Sequence, residues 1–252
     1  MRAAVIGDIH ANLPALLAVL ADIERIGCDA IWCVGDVVGR GPHPNEVVAE
    51  LIAREIPTVQ GNWDEAVAMG REHAGSLWAS DEAETEGRRS VAWSLSVLRE
   101  GHLSWLRQLP MTLRFAAEDR SVLLFHGTPL KQTEYLWADR PSRVYGRIAS
   151  DEGDDLFCHG HTHETVHKLV GSAHFVSVGS VGCGAHARAR YAVIYLGQPD
   201  IAVGFRSVDY DAGPVAADLA AAGLSLDLLR MPPIAHSLGP DGADGPGPGM
   251  AG

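Results

Sequence analysis

Asp8, His10, Asp36, Asn62, His126, His161 and His163 combine residue types and positions that suit metal chemistry. Each follows a short apolar run and has a glycine nearby: Gly7-Asp8-Ile9-His10, Gly35-Asp36, Gly61-Asn62-Trp63-Asp64, Phe125-His126-Gly127 and His159-Gly160-His161-Thr162-His163. Two Asp, one Asn and several His form a mixed oxygen and nitrogen donor set. Such a set suits Mn, Fe, Zn or Ni, and is unlike an all-oxygen Ca site or an all-thiolate Zn cage. Asp-x-His and His-x-His spacings put both side chains of a pair on one face of an extended segment, so one short segment supplies two donors. A single ion does not use a set this large, whereas two divalent ions sharing a bridging carboxylate do. Any one Asp after a strand is usually a turn or cap residue, and a lone His usually belongs to the core or the surface. Five such segments in series are not explained by capping.

The elements that must position these residues alternate over the first sixty positions. Ala3 to Ile6 reads as a strand. Asn12 caps a helix carrying Leu16, Leu17, Leu20 and Ile23, which Gly27 ends. Ile31 to Val34 is a second strand, Asn45 caps a second helix, and Thr58 to Gln60 is a third strand. Strands this apolar imply a buried sheet with helices against it, and ligands in such sheets bind at the carboxyl ends of strands. Residues 64 to about 108 fit helical spacing and read as a helical insertion beside or over the site, stopped by Pro110. Strands follow over Thr112–Phe115, Val122–His126, Leu156–His159, Val166–Val170, Phe175–Val178, Tyr191–Leu196 and Ala202–Val208, then a last helix over Val215–Leu229. So many strands in one α/β domain, residues 1–238, fit a sheet-on-sheet sandwich with helices outside. Residues 239–252, rich in Gly, Pro, Asp and Ala, are expected to form a disordered tail.

A net charge of −12 argues against charge-driven, non-specific binding to nucleic acid or anionic lipid. A nucleotide-type substrate stays open, because a bound metal reverses the local field. No apolar run reaches membrane-spanning length, and the expected setting is cytoplasmic. Cys28, Cys33, Cys158 and Cys183 show no C-x-x-C spacing and read as reduced thiols. No G-x-G-x-x-G or P-loop follows the first strand, which sets aside a dinucleotide-binding reading.

The joint pattern resembles the calcineurin-like metallophosphoesterases, closest to their bacterial and archaeal phosphodiesterase-like branch. That family runs D-x-H, G-D, G-N-H-D or G-N-H-E, H, then G-H-x-H. The segments quoted above match it in order, and Val176-Ser177-Val178-Gly179-Ser180-Val181-Gly182 resembles the family's N-P-G-S-V-G turn. The resemblance implies an αββα sandwich of two mixed sheets flanked by helices, with two metals at one sheet edge. By the same resemblance Asp36 bridges the metals. Asp8, His10 and His163 complete one ion, and Asn62, His126 and His161 the other. Asp64 matches the acidic position after G-N-H and would orient a neighbour, while His159 has no counterpart and is given a structural role. Gly35-Asp36-Val37-Val38-Gly39-Arg40-Gly41 resembles the G-D-x-x-x-R-G of protein phosphatases and diadenosine tetraphosphatases, which makes Arg40 either a phosphate ligand or a solvated loop arginine.

One position departs. The family's G-N-H histidine, expected to contact the phosphate and assist the leaving group, is Trp63 here. Indole offers one N–H and no general acid. The implied chemistry is hydrolysis of a small phosphoester by a hydroxide held between two divalent ions, attacking phosphorus in line. A phosphodiester with a good leaving group is the first expectation. A phosphomonoester, a diadenosine polyphosphate or a phosphoprotein is the alternative. A metal-binding protein-interaction module on the same fold is the alternative without catalysis.

Overall fold

The computed structural model describes residues 1–184, 186–197 and 200–230. The expected tail lies outside them. The chain begins with β1 (Arg2–Ile6), α1 (Leu13–Ile26), β2 (Ala30–Cys33) and α2 (Pro44–Ala53). Three helices follow, α3 (Asn62–Ala68), α4 (Asp81–Val97) and α5 (Glu100–Gln108). Then come β3 (Thr112–Ala117), β4 (Arg120–Phe125), α6 (Ser142–Glu152), β5 (Leu156–His159), β6 (Thr165–Val170), β7 (Ala173–Val178), β8 (Arg188–Leu196), β9 (Ile201–Asp209), α7 (Gly213–Ala221) and α8 (Asp227–Arg230). One sheet has the order β2-β1-β8-β9 and the other β3-β4-β5-β7-β6. Both are mixed: β1 pairs parallel with β2 and antiparallel with β8, and β4 and β7 run parallel to β5 beside antiparallel edges.

The period-2 alternation of the strands builds the layers. Ala3 and Val5 of β1 meet Val122, Leu124, Val176 and Val178 of the other sheet, while Ala4 and Ile6 face Leu16, Leu20 and Val48 of the helices. On the far side, Leu123, Phe125, Phe157 and Phe175 pack against Tyr145 of α6. The result is helix, sheet, sheet, helix. No helix among the described residues is long and apolar enough to cross a membrane.

Several local expectations change. Thr58 makes only an isolated parallel bridge to Cys33. Val59 N–H still donates to Cys33 O (3.1 Å), but the Gly61 N–H that would come next goes to Asp64 Oδ2 (2.9 Å), so no third strand extends the ladder there. The 64–108 region is three helices, with a non-helical link over 69–80. Asn45 sits inside α2, whose N-cap is His43 with a proline at the start. The Asn45 amide instead holds Val97 O and the Arg99 N–H. The last helix is broken where Gly223 turns left-handed (φ 70°). Asn12 and Gly27 cap α1 as expected.

Asp22 of α1 binds this helix to the sheet beneath it. Its carboxylate accepts from the Tyr191 hydroxyl (2.8 Å) and from Nη2 and Nε of Arg206. The Arg206 bond, against the opposing effect of burial and with help from Arg25 and Tyr191, holds this carboxyl well below the usual range. A depressed folded-state pKa stabilises the fold fully above the unfolded value of about 3.9, and the contribution fades as pH falls through the folded value. Asp22→Asn is therefore expected to cost about 1.5–3 kcal/mol at neutral pH. Urea unfolding of parent and variant at pH 7 and pH 3 checks this, since the gap must narrow in acid. A gap independent of pH would assign the effect to packing alone.

Candidate metal centre

Both sheets deliver their strand ends to one place. The loop after β1 continues alongside the loop after β2 through backbone bonds from Asp8, His10 and Ala11 to Gly35, Asp36 and Val37 (each 2.9 Å). The turn after β7 closes underneath: Val181 and Gly182 donate to Gly7 and Asp8 carbonyls, and the Ser180 hydroxyl donates to Asp8 O (2.8 Å). Asn12 adds a tie from its amide to Gly182 O (2.9 Å). From the other sheet, Gly160 donates to His126 O (3.1 Å), which aligns the ends of β4 and β5. Gly61 is required by crowding, because a Cβ there would stand 2.2 Å from Asp36 N and Oδ1.

Asp8, His10, Asp36, Asn62, His126, His161 and His163 are all buried, and the structure brings all of them together. Two groups form, Asp8 with His10 and His163, and Asp36 with His126 and His161, each offering donor atoms within 4.8 Å of one another. Asp36 Oδ2 faces both groups, 3.6 Å from His10 Nε2 and 3.3 Å from His126 Nε2. His163 Nε2 lies 3.3 Å from Asp8 Oδ1 and 3.3 Å from His10 Nε2. Asn62 Oδ1 is 2.9 Å from His126 Nε2. Its Nδ2 donates to Ala74 O (2.7 Å), which fixes which end of the amide points inward. Asp8, His10, Asp36, His161 and His163 all hold positive φ between 49° and 71°. Left-handed backbone at a non-glycine residue costs about 1–3 kcal/mol and persists only where its surroundings enforce it, typically at functional sites.

The electrostatics fit a cationic occupant. Burial pulls His126 down, but the Asp36 charge and hydrogen bond, with Asp8, outweigh it and push the ring up to about 9. His126 Nδ1 donates to Val34 O (2.8 Å), leaving Nε2 among Asn62, Asp36 and Asp8. Burial, followed by neighbouring positive charge, drives His10 and His161 well below the ordinary histidine value. Both rings are thus neutral, the form that ligates metals. His161 Nε2 is buried with no hydrogen-bond partner. An orphaned imidazole nitrogen beside two buried carboxylates is a donor set that divalent ions fit.

The remaining candidates surround this cluster. Asp64 lies beneath it: one oxygen accepts from the N–H groups of Val37 and Val38 (2.8 and 3.0 Å) and the other from Gly61 N–H (2.9 Å). Burial, then the Asp36 charge, pushes its carboxyl up to about 7. Trp63 is 1% exposed, donates its backbone N–H to Asp36 Oδ1 (2.9 Å) and its indole N–H to the Ser76 hydroxyl (3.1 Å). Arg40 is 2% exposed, not solvated, and its guanidinium lies against both the Trp63 and Trp78 rings, 5.2 Å from each centre, where those rings meet edge-on. It also donates to Leu228 O (3.0 Å). His159 belongs to neither group and stacks on Phe125, and burial drives it down to about 4. Tyr135 was not singled out from sequence. It stacks on His161 with ring centres 3.8 Å apart and is itself stacked on Trp137. Its only signal is a pair of aromatic residues in the polar loop that follows His126.

The chain belongs to the calcineurin-like phosphoesterase superfamily, whose domain matches residues 1–198. It is similar to a solved metallophosphoesterase from Sphaerobacter thermophilus, with 30% identity, 91% of this chain and 96% of that one covered, and a TM-score of 0.69. An uncharacterized protein of Methanocaldococcus jannaschii is 35% identical over 162 residues, 64% of this chain and 61% of that protein. The symmetrical bis(5'-nucleosyl)-tetraphosphatase of Klebsiella pneumoniae is 24% identical over 160 residues, 62% of this chain and 54% of that protein. The chain thus spans less than two thirds of the length of these curated relatives.

Proposed function

We propose that this protein is a metal-dependent phosphoesterase, with phosphodiesters bearing a good leaving group as its first substrate class. The carrying observation is Asp36 Oδ2, which faces the His10 and His126 nitrogens at 3.6 and 3.3 Å from opposite groups, as a bridging carboxylate must. Asp8, His10 and His163 would hold one divalent ion, Asn62, His126 and His161 the other, and Asp36 both. When bound, such a pair supplies a water of lowered pKa and polarises the phosphoryl oxygens for in-line displacement.

The chain's own residues orient that machinery. Asp64 ties the 36–40 loop to the Gly61 turn, which keeps Asp36 in its left-handed pose. Val34 O sets the His126 tautomer, and Tyr135 fixes the plane of His161. Arg40 carries a buried positive charge behind the Trp63 ring. The G-D-x-x-x-R-G segment and the similarity to a dinucleoside tetraphosphatase support a dinucleoside polyphosphate as the second substrate class.

Two ions per chain are expected after loading with Mn or Zn, checked by elemental analysis and anomalous diffraction. Bis-p-nitrophenyl phosphate should be hydrolysed faster than p-nitrophenyl phosphate, with a symmetrical dinucleoside tetraphosphate as the third substrate. A fully loaded site that never holds more than one ion would sink the two-ion reading. Two bound ions with no turnover on any of the three would favour the protein-interaction alternative.

A further inference from the structure

The link between α3 and α4 reaches across the Asn62 side of the cluster and touches several of its residues at once. Ala74 O receives the Asn62 amide (2.7 Å). The Ser76 hydroxyl receives the Trp63 indole N–H (3.1 Å) and lies 3.4 Å from the same Asn62 amide nitrogen. The next N–H, from Leu77, donates to the Tyr135 oxygen (3.2 Å), and Tyr135 stacks on His161. The Trp78 ring then covers one face of Arg40. Four residues of the 74–78 segment, which has no regular structure, thus touch Asn62, Trp63, Tyr135 and Arg40 and, through Tyr135, reach His161.

Ser76 is the pivot of this arrangement. A hydroxyl offers one donor and two acceptor sites, and here its neighbours are two N–H donors, the Trp63 indole and the Asn62 amide. Removing it leaves the buried indole N–H without its partner and takes away the segment's hydroxyl tie to α3, leaving the bond from the Asn62 amide to Ala74 O. The Ala74 carbonyl that orients Asn62 then lacks the anchoring of the neighbouring Ser76 hydroxyl to Trp63. Asn62 Oδ1 must face His126 for the second group to be complete.

We propose that Ser76 is a positioning residue for the second ion, the one assigned to Asn62, His126 and His161, acting through the 74–77 segment. This inference rests on the two-ion reading above. Loss of a group that orients a metal ligand typically weakens binding ~10- to 100-fold, and that loss should fall on one ion of the pair.

The test is metal affinity, without turnover. Ser76→Ala and Ser76→Thr are loaded with Mn against a competing chelator, and the occupancy at each half is read by anomalous diffraction. Ser76→Ala should bind the ion beside Asn62 ~10- to 100-fold more weakly, leave the ion beside Asp8 unchanged, and keep its melting temperature within a few degrees. Ser76→Thr, which retains the hydroxyl, should restore most of the loss. Trp63→Phe removes the same hydrogen bond from the other side, so the double variant Ser76→Ala, Trp63→Phe should be little worse than Ser76→Ala. Equal affinity for both ions in Ser76→Ala and parent would overturn the proposal. So would equal weakening at both halves with a large fall in melting temperature, which marks a general structural role. A parent that never binds a second ion would instead remove the two-ion reading, and this inference with it.

Discussion

Asp36→Asn is expected to lower turnover by well over ~10²-fold while the chain folds as before. Removing a group that merely orients a ligand costs about 10- to 100-fold in affinity or activity, and this substitution removes the charge that both groups share. The fold should tolerate it for local reasons. Asn matches Asp in size and is among the residues most at ease in the left-handed region, where Asp36 sits at φ 53°. An amide oxygen can still accept the Trp63 backbone N–H, now 2.9 Å from Asp36 Oδ1. The Asn62, His126 and His161 donors remain, as do Asp8, His10 and His163, so some metal should still bind, more weakly. Metal content, melting temperature and diester hydrolysis measured on one preparation separate these effects. Full activity with metal still bound would show that the bridge lies elsewhere.

The site was legible in the sequence because most of its residues sit at strand ends, where short-range pattern is strongest. Every donor but Asn62, which opens α3, follows an apolar run that forms a buried strand, and the turn beside it is marked by glycine. Two layers of helix outside two sheets followed from the same alternation, seen in Ala3 and Val5 against Ala4 and Ile6. What stayed hidden was whatever depends on contacts distant in sequence. Asn45 has the composition of a helix cap, but its amide serves Val97 and Arg99 more than fifty residues away. Gln60 looked like strand because nothing local shows that its N–H goes to Pro110. Helix α6 buries little beyond Tyr145, so its apolar stripe is too thin to read. The 74–78 segment carries no motif at all. Its role comes from backbone carbonyls and one hydroxyl, groups that every sequence offers and only the fold selects.

On the proposed phosphoesterase reading, Trp63 is the residue expected to limit which esters the site cleaves. The indole is a wall fitted to its place: a Cβ on Gly39 would stand 2.3 Å from the ring, and Gly39 is itself left-handed at φ 78°. One face lies under Arg40, and the ring meets His10 edge-on with centres 5.8 Å apart. Its N–H is already donated to Ser76, so neither proton transfer nor a free hydrogen bond is available from it. Attack on phosphorus needs no proton donor at this position, whereas departure of a basic leaving group does. General acid assistance typically contributes ~10²–10⁴-fold, and an aryl ester needs little of it. The rate is therefore expected to fall steeply as the leaving-group pKa rises. Trp63→His should raise the rate on alkyl or nucleoside diesters by ~10²-fold at most, the low end of that range, and leave aryl diesters nearly unchanged. The low end applies because imidazole is smaller than indole and leaves space beside Gly39 and Arg40, so the new ring is held less firmly. The competing donors are His43 and His186. His43 Nε2 is paired with Asp218 of α7 at 2.8 Å, and His186 is an exposed loop residue with positive φ. If either supplied the proton, the parent would already show a shallow dependence on leaving-group pKa. Rates on a series of diesters of graded leaving-group pKa, for parent and Trp63→His, discriminate between the two. A shallow parent slope that the substitution leaves unchanged would reject the wall and return the proton to one of those histidines.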